Sequence, residues 1–273
     1  MERERSIIDQ LLQHLFDRFG FDYRNYSYSS IRRRIHHRMI LEQIDDLSQF
    51  CEQALADSLL REKIVADFSL LVTTMFRDPN FFASFRTHVL PWLRRIPYVR
   101  IWHAGCATGE EVLSMAILLR EEGLLERCRI FATDLSETAL NRAMRGAVDM
   151  HAMQMYTRNY IQFGGQNEFS AYYTIRGNEA LFDPMLLSRV VFARHNLATD
   201  HAFQSFHAIV CRNVIIYFNP ILKKRVYSLF TESLCGGGYL GLGSKESLLG
   251  SDCHNRYEYV DPSVRIYRIK EGL

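Results

Sequence analysis

The chain lacks most of the signatures that would place it in a specialised class. Its six cysteines (Cys51, Cys106, Cys128, Cys211, Cys235 and Cys253) are scattered through 273 residues and form no C-x-x-C pair. That excludes a disulfide framework and argues against structural zinc, and it leaves buried free thiols in a reducing compartment as the expectation. The ten histidines contain no H-E-x-x-H pattern, and the adjacent His36 and His37 point to different faces of a helix; no metal is expected. No run approaches the roughly 18 apolar residues that a membrane span requires. The charged start Met1-Glu2-Arg3-Glu4-Arg5 leads into an amphipathic helix and does not read as a signal peptide. A cytoplasmic location without membrane insertion is therefore expected. A net charge of +2 is too small to argue for nucleic acid, and there are no repeats or low-complexity tracts. What remains, 48% hydrophobic and 23% charged residues, is ordinary for a soluble globular chain of one large or two modest domains.

The most informative stretch runs from Arg100 to Glu111. Val99 to Ala104 is a short apolar run that reads as a buried strand. Gly105 and Gly109 follow, and Val112 to Leu119 has helical apolar spacing. A strand, a glycine turn and a helix form the opening unit of a nucleotide-type site: the glycines let a ligand approach the backbone, and the helix N-terminus offers free N–H groups. Arg127 to Thr133 reads as a second strand ending in Asp134, some twenty-odd residues past the glycine turn, where an acid is placed to bind ribose hydroxyls.

Before this region the chain reads as helical. Residues 6–18 are amphipathic and end at Gly20; 46–57 and 58–68 are two short helices with Asp46 and Asp57 as N-caps. Between them, Ile31, Ile35 and Met39 recur at helical spacing on a segment that also carries Arg32, Arg33, Arg34 and Arg38. This is either a solvated face or a cationic helix that docks an acidic surface, and the scarcity of Asp and Glu within 29–40 favours docking. Asp78 as cap and Pro79 at the first helical position start a helix of about 80–95. An all-helical substrate-recognition subdomain of 1–78, a linker helix of 79–98 and a catalytic domain of 99–273 are thus expected.

Beyond Asp134, helix 136–145 continues a strand–helix alternation that predicts a parallel sheet with right-handed crossovers. Residues 150–188 interrupt it with turn-rich, strand-like pieces, read as a small β insertion at about 156–188. Within it, Gly164-Gly165-Gln166-Asn167 is either a hairpin or a docking turn. Val190–Ala193 and Ala208–Cys211 are further strands; helix 220–234, strand Tyr239–Gly243 and a terminal hairpin around Asp261-Pro262-Ser263 complete the chain. The outline is α/β: a Rossmann-like class I S-adenosylmethionine (AdoMet) methyltransferase sheet with a C-terminal antiparallel hairpin, an N-terminal all-helical subdomain and a small β insertion.

A glycine turn with a downstream acid is shared by many nucleotide folds; four motifs in order are more specific. Cys211-Arg212-Asn213-Val214-Ile215-Ile216-Tyr217-Phe218 resembles the C-R-N-V-x-I-Y-F signature of the CheR-type chemotaxis receptor methyltransferases. Ala104–Glu111 resembles that family's cofactor loop, Ala132-Thr133-Asp134 its ribose-binding strand end, and Thr73-Thr74-Met75-Phe76-Arg77-Asp78 its N-x-T-x-F-F-R-[DE] segment. The chain departs from the pattern at Leu71, where the family has asparagine, at Met75, and at His207, where an acid is usual and where a surface histidine at the strand entrance is expected.

The resemblance implies methyl transfer from AdoMet, with S-adenosylhomocysteine as product, to glutamate side chains on the cytoplasmic helical region of methyl-accepting chemoreceptors. It implies Thr73, Arg77, Gly105, Glu111, Asp134, Asn196, Leu197, Arg212 and Asn213 as cofactor contacts, Arg77 and Tyr217 at the methyl-transfer position, and Arg32, Arg33, Arg34 and Arg38 as receptor-facing. A monomer is expected. The alternative prompted by Leu71 is an AdoMet-binding sensor or scaffold of the same fold with reduced catalysis. A nucleic-acid methyltransferase using the same arginines would show steep salt dependence and is disfavoured by the near-neutral charge. The chemistry suits the missing His–carboxylate and Ser–His pairs: a glutamate, of ordinary pKa about 4.3, is already ionised at neutral pH, so no general base is required.

Overall fold

The structure is a computed structural model that describes residues 2–68 and 73–271. The chain divides into two compact units, Met1–Leu70 with Tyr217–Arg225, and Leu71–Ile216 with Val226–Leu273.

The first unit is helical: α1 (Glu2–Phe19), α2 (Tyr28–Glu42), α3 (Leu47–Ala56) and α4 (Ser58–Phe68). Ile8, Leu11, Leu12 and Leu15 form the buried stripe of α1, and Gly20, at φ +73°, ends it. Ile31, Ile35 and Met39 are buried along α2, at the expected spacing. The Asp46 carboxylate accepts from the Gln49 N–H at 2.7 Å and that of Asp57 from the Leu59 N–H at 2.8 Å, each meeting an orphan donor at a helix start. The later segment joins this unit through an antiparallel bridge between Tyr26 and Phe218, whose rings also pack edge to face.

The second unit is built on a seven-stranded sheet. Its chain order is α5 (Pro79–Ser84), α6 (Leu90–Leu93), β1 (Val99–Ala104), α7 (Glu110–Glu121), β2 (Cys128–Asp134), α8 (Glu137–Arg145), β3 (Ala147–Asp149), α9 (Met150–Phe163), β4 (Tyr173–Arg176), β5 (Glu179–Phe182), α10 (Pro184–Leu187), β6 (Val190–Arg194), β7 (Phe206–Cys211), α11 (Pro220–Ser233, shared with the first unit), β8 (Leu234–Leu242), β9 (Tyr257–Asp261) and β10 (Ile266–Ile269). The sheet order is β6-β2-β1-β7-β8-β10-β9. The first five strands are parallel, and β10 runs antiparallel to both β8 and β9. The order turns back between β1 and β7, which makes the carboxyl ends of these strands the place for a ligand. All six cysteines are free, and five are buried.

Four details differ from the sequence reading. Residues 75–93 group with the sheet unit, not with a helical subdomain running to 78, because Met75, Phe76, Phe81, Phe82 and Phe85 enter the sheet's hydrophobic core. The helix of 80–95 is broken by a wide turn over Phe85–Val89, where the Leu90 N–H reaches back to the Phe85 carbonyl; Pro91, which has no N–H, follows at once. The interruption after 150 begins with the helix α9, and the strands of the small second sheet are β3, β5 and β4 in that spatial order. Gly164-Gly165 is neither hairpin nor free turn: Gly164, at φ +85°, caps α9, and a Cβ on Gly165 would lie 2.0 Å from the Tyr160 ring.

Phe76 stacks on Phe163 with centroids 4.9 Å apart and meets the edges of Phe82 and Tyr160. This aromatic cluster ties α5 to α9. Replacing the fully buried Phe82 by alanine should cost about 3–5 kcal/mol in chemical denaturation of the full chain. A loss under about 1 kcal/mol would show that the cluster collapses around the void.

Candidate functional site

The turn after β1 is shaped by its backbone. Gly105 (φ +78°), Ala107 (φ +49°) and Gly109 (φ +91°) all occupy the left-handed region, and two of them could not carry a side chain. A Cβ on Gly105 would lie 2.5 Å from a Val214 methyl, and one on Gly109 would lie 2.8 Å from that of Ala143. The turn is tethered to the end of β2. The Gly105 and Cys106 N–H groups donate to the Thr133 carbonyl, at 2.8 and 2.9 Å.

Asp134 completes the tether. Its Oδ2 accepts from the Ala107 N–H and its Oδ1 from the Ser136 N–H, both at 2.9 Å. Burial raises its pKa, and the backbone donors oppose that rise. Ser136, not Asp134, caps α8, through the Ala139 N–H. The Asp134 carbonyl accepts from the His195 N–H, so Asn196 and Leu197, just past β6, are brought to the same edge. Asn196 folds back on its own turn, its Oδ1 accepting from the Ala198 N–H, and Leu197 is buried.

Arg212 leaves the end of β7 and is enclosed; its side chain is 1% exposed. Nη1 donates to Glu111 Oε2 at 2.8 Å, and Nη2 donates to Asp78 Oδ2 at 2.6 Å and to the Arg77 carbonyl at 3.0 Å. The Phe81 ring lies under the guanidinium at 4.2 Å. Glu111 also meets His103 Nδ1, at 3.2 Å. Burial pushes the Glu111 pKa up, but the Arg212 charge and the bonds to Arg212 and His103 hold it below the ordinary 4.5. Asp78 takes the expected cap position before Pro79, but at φ +53° its side chain makes no cap bond and turns to Arg212 instead. Phe76 shares the left-handed conformation (φ +48°), and its N–H is held by Ser114 Oγ on α7, so the Thr73–Asp78 segment is pinned to the helix that follows the glycine turn. Thr73 and Arg77 are partly exposed beside this anchor. The site thus collects Arg77, Gly105, Glu111, Asp134, Asn196, Leu197, Arg212 and Asn213 around the ends of β1, β2, β6 and β7. Leu71 lies outside the described residues.

A cavity of about 520 Å³ opens on the β8 side of Arg212, between Asp78, Phe81, Leu242 and Ser244. Neither Gly105 nor Asp134 lines it. His207 is half-buried rather than a surface residue: its Nδ1 accepts from the Arg100 N–H at 2.9 Å, closing the start of β1, and burial lowers its pKa.

One residue central to this geometry gave no sequence signal. Glu246 is 3% exposed, and its carboxylate accepts from the N–H groups of Gly243, Asn213, Val214 and Ile216 at 2.7, 3.0, 3.0 and 3.2 Å. Only its spacing from Gly243, in a Gly-x-x-Glu turn after a strand, could have marked it.

In the first unit, the α2 arginines differ from expectation. Arg34 is buried, not receptor-facing. It donates to the Phe68 carbonyl and lies 4.5 Å over the Tyr217 ring, while its Nε and Nη2 have no hydrogen-bond partner. Arg32 pairs with Glu4, and Arg38 pairs with Asp67 and Glu42. The acids absent from the 29–40 segment come from other helices and from its end. Arg33 stays exposed.

Residues 71–262 match the family model "CheR methyltransferase, SAM binding domain", and residues 7–69 match its all-alpha domain. The chain belongs to the CheR methyltransferase family. A Pseudomonas putida protein, Cher3, is 45% identical over 98% of both chains. The chemotaxis protein methyltransferase Cher2 of the same organism is 32% identical over 77% of this chain and 78% of its own. A chemotaxis protein methyltransferase of Listeria monocytogenes is 29% identical over 84% and 86%. The boundary near residue 70 between the two CheR domains coincides with that between the compact units.

The residues present fit AdoMet. The glycine turn leaves its backbone bare at Gly105, which has a positive φ and Val214 where a side chain would go. Each Asp134 oxygen retains a lone pair beyond its backbone bond. Carboxylates and arginines gathered at Arg212 suit a zwitterionic amino-acid moiety.

The Glu111–Arg212 pair carries a pH signature. A carboxylate whose folded pKa is lowered contributes stability that is present above its unfolded pKa and is lost as pH falls through the folded value. The stability difference between wild type and Glu111→Gln should be largest near neutrality and should shrink as pH drops below about 4.5. Melting temperatures across pH 3 to 7 would read this directly; a pH-independent difference would rule out the charged pair as its source.

Proposed function

We propose that this protein transfers a methyl group from AdoMet to glutamate side chains of methyl-accepting chemoreceptors, forming glutamate methyl esters. The observation that carries the reading is the turn after β7: the C-R-N-V segment of the family sits against the glycine turn through Val214, and its arginine is bound to Glu111 of the helix which that turn starts. Relatives named chemotaxis protein methyltransferases support the process, and the matched SAM-binding domain supports the cofactor.

The bound cofactor would supply an electrophilic methyl on a sulfonium. The protein's task is then placement. The glycine turn and Asp134 would receive the nucleoside end, and Asn196 and Leu197 would border it. Glu111, Arg212, Arg77 and Thr73 would hold the amino-acid end. Because a receptor glutamate is already ionised near pH 7, the chain need not remove a proton; alignment of carboxylate and methyl can itself supply several kcal/mol of the barrier.

In the helical unit, Tyr217 carries a hydroxyl and lies under a buried guanidinium with unfilled donors, that of Arg34. A carboxylate held by the Tyr217 hydroxyl would be oriented without a tight, charge-quenching ion pair, the Arg34 donors being enclosed. The substrate would be the helical, cytoplasmic region of a receptor, with Arg33 and the Glu4-paired Arg32 the members of the α2 arginine set left at the surface. Among the described residues no helix is long and apolar enough to cross a membrane.

Incubation with a chemoreceptor and methyl-labelled AdoMet should give base-labile methyl esters on receptor glutamates. Arg212→Ala should lower the yield by about a hundredfold or more, since it leaves Glu111 and Asp78 uncompensated and removes a cofactor anchor. Labelling of a non-receptor substrate alone would sink the receptor assignment, and undiminished labelling by Arg212→Ala would sink the site.

A further inference from the structure

The mechanism above uses Arg212 and Asn213 but does not explain why their turn holds its shape. Asn213 adopts φ +61°, and three nearby N–H groups, of Asn213, Val214 and Ile216, point inward with no strand to receive them. Left unpaired in a buried site, each would cost roughly 1–3 kcal/mol. All three converge on the Glu246 carboxylate, which among the described residues has no cationic partner within hydrogen-bond reach and accepts from backbone donors. The Gly243 N–H supplies the fourth bond, and Gly243 is bare of necessity: a Cβ there would lie 2.7 Å from Glu246 Oε2 and 2.9 Å from the Asn213 nitrogen.

We infer that Glu246 is a positioning residue for the cofactor, acting through the backbone of Asn213–Ile216 to fix both the Arg212 side chain and the Val214 contact that shapes the glycine turn. The chain of contacts is continuous. The carboxylate, anchored past β8, sets the 213–216 amides. Val214 presses on Gly105, and Arg212, one residue before the nest, closes on Glu111. An amide in place of the carboxylate would turn an NH₂ toward at least one of these N–H groups and open the turn on the cofactor side. The inference rests on the proposed AdoMet site and assigns to it a residue that touches no cofactor.

The test is calorimetric titration of the full chain with S-adenosylhomocysteine, for wild type, Glu246→Gln and a control, Phe182→Leu, which loosens the buried insertion core away from the site. Glu246→Gln should bind about tenfold or more weakly, with faster amide exchange at Asn213, Val214 and Ile216 and unchanged exchange in β1 and β2. The control should melt earlier but bind within about twofold of wild type, an outcome that a merely structural effect of Glu246 could not separate from its own. Affinity within about twofold of wild type in folded Glu246→Gln overturns the inference. Should that variant not fold, Val214→Ala reads the same link: about threefold weaker binding is expected, and unchanged binding overturns the inference. A wild-type chain that does not bind the probe removes the AdoMet reading itself; a wild type that binds, with variants that bind equally well, removes only the role of Glu246.

Discussion

The second unit depends on one problem of charge. A guanidinium that is 1% exposed at the end of a core strand must find partners or it destabilises the fold that encloses it. Arg212 finds them in Glu111 from α7, in Asp78 and the Arg77 carbonyl from the segment before α5, and in the Phe81 face, and only its buried Nε goes without a hydrogen bond among the described residues. With Arg212 itself, the group draws on three separate stretches of sequence. Satisfying one side chain therefore brings together the glycine-turn helix, the T-T-M-F-R-D segment and the end of β7. Removing any partner would leave buried charge, a loss of several kcal/mol in comparable sites, so the residues proposed to hold the cofactor also hold one another.

The left-handed residues show what this assembly requires of the backbone. Phe76, Asp78, Ala107 and Asn213 all have positive φ, and none is glycine. Such conformations cost about 1 kcal/mol or more each and persist where the surroundings over-determine them. Here the determinants are visible: Ser114 holds the Phe76 N–H, Asp134 holds that of Ala107, Glu246 holds that of Asn213, and Arg212 holds the Asp78 carboxylate. The four lie in three of the segments at issue: 73–78, the glycine turn and the turn after β7. Strain is concentrated where the ligand is proposed to bind, and buried polar side chains, not packing alone, maintain it.

This division explains what was legible beforehand. Strand β1, the glycine turn, β2 with Asp134, β7 and the terminal hairpin were all readable, because local apolar periodicity and glycine placement determine them within a few residues. The caps at Asp46 and Asp57 were readable for the same reason. Asp78 was legible as the residue at the cap position before Pro79, but the use of its side chain was not, because its partner, a buried arginine 134 residues away, lies outside any window. Glu246 was invisible because its partners are backbone N–H groups, which every residue carries. The helix cap at Gly164 was not legible because a glycine pair marks a helix cap and a hairpin equally well.

The α2 helix carries the same lesson into the helical unit. Four arginines within seven residues look like a cationic surface when acids are counted only along the helix. Folding brings Glu4 to Arg32 and Asp67 to Arg38, and it places Arg34 inside, over Tyr217. Long-range attraction of an acidic partner by that face is correspondingly weaker than the sequence suggests, since paired charges cancel within a Debye length of about 10 Å. A short-range device gains by the same rearrangement. Arg34 is partnered by a carbonyl and aromatic rings rather than by a carboxylate, so its charge is not neutralised by the protein. In a proposed reaction whose nucleophile is itself a carboxylate, discrimination would then come from one desolvated cation beside a phenol, not from the number of arginines on the helix.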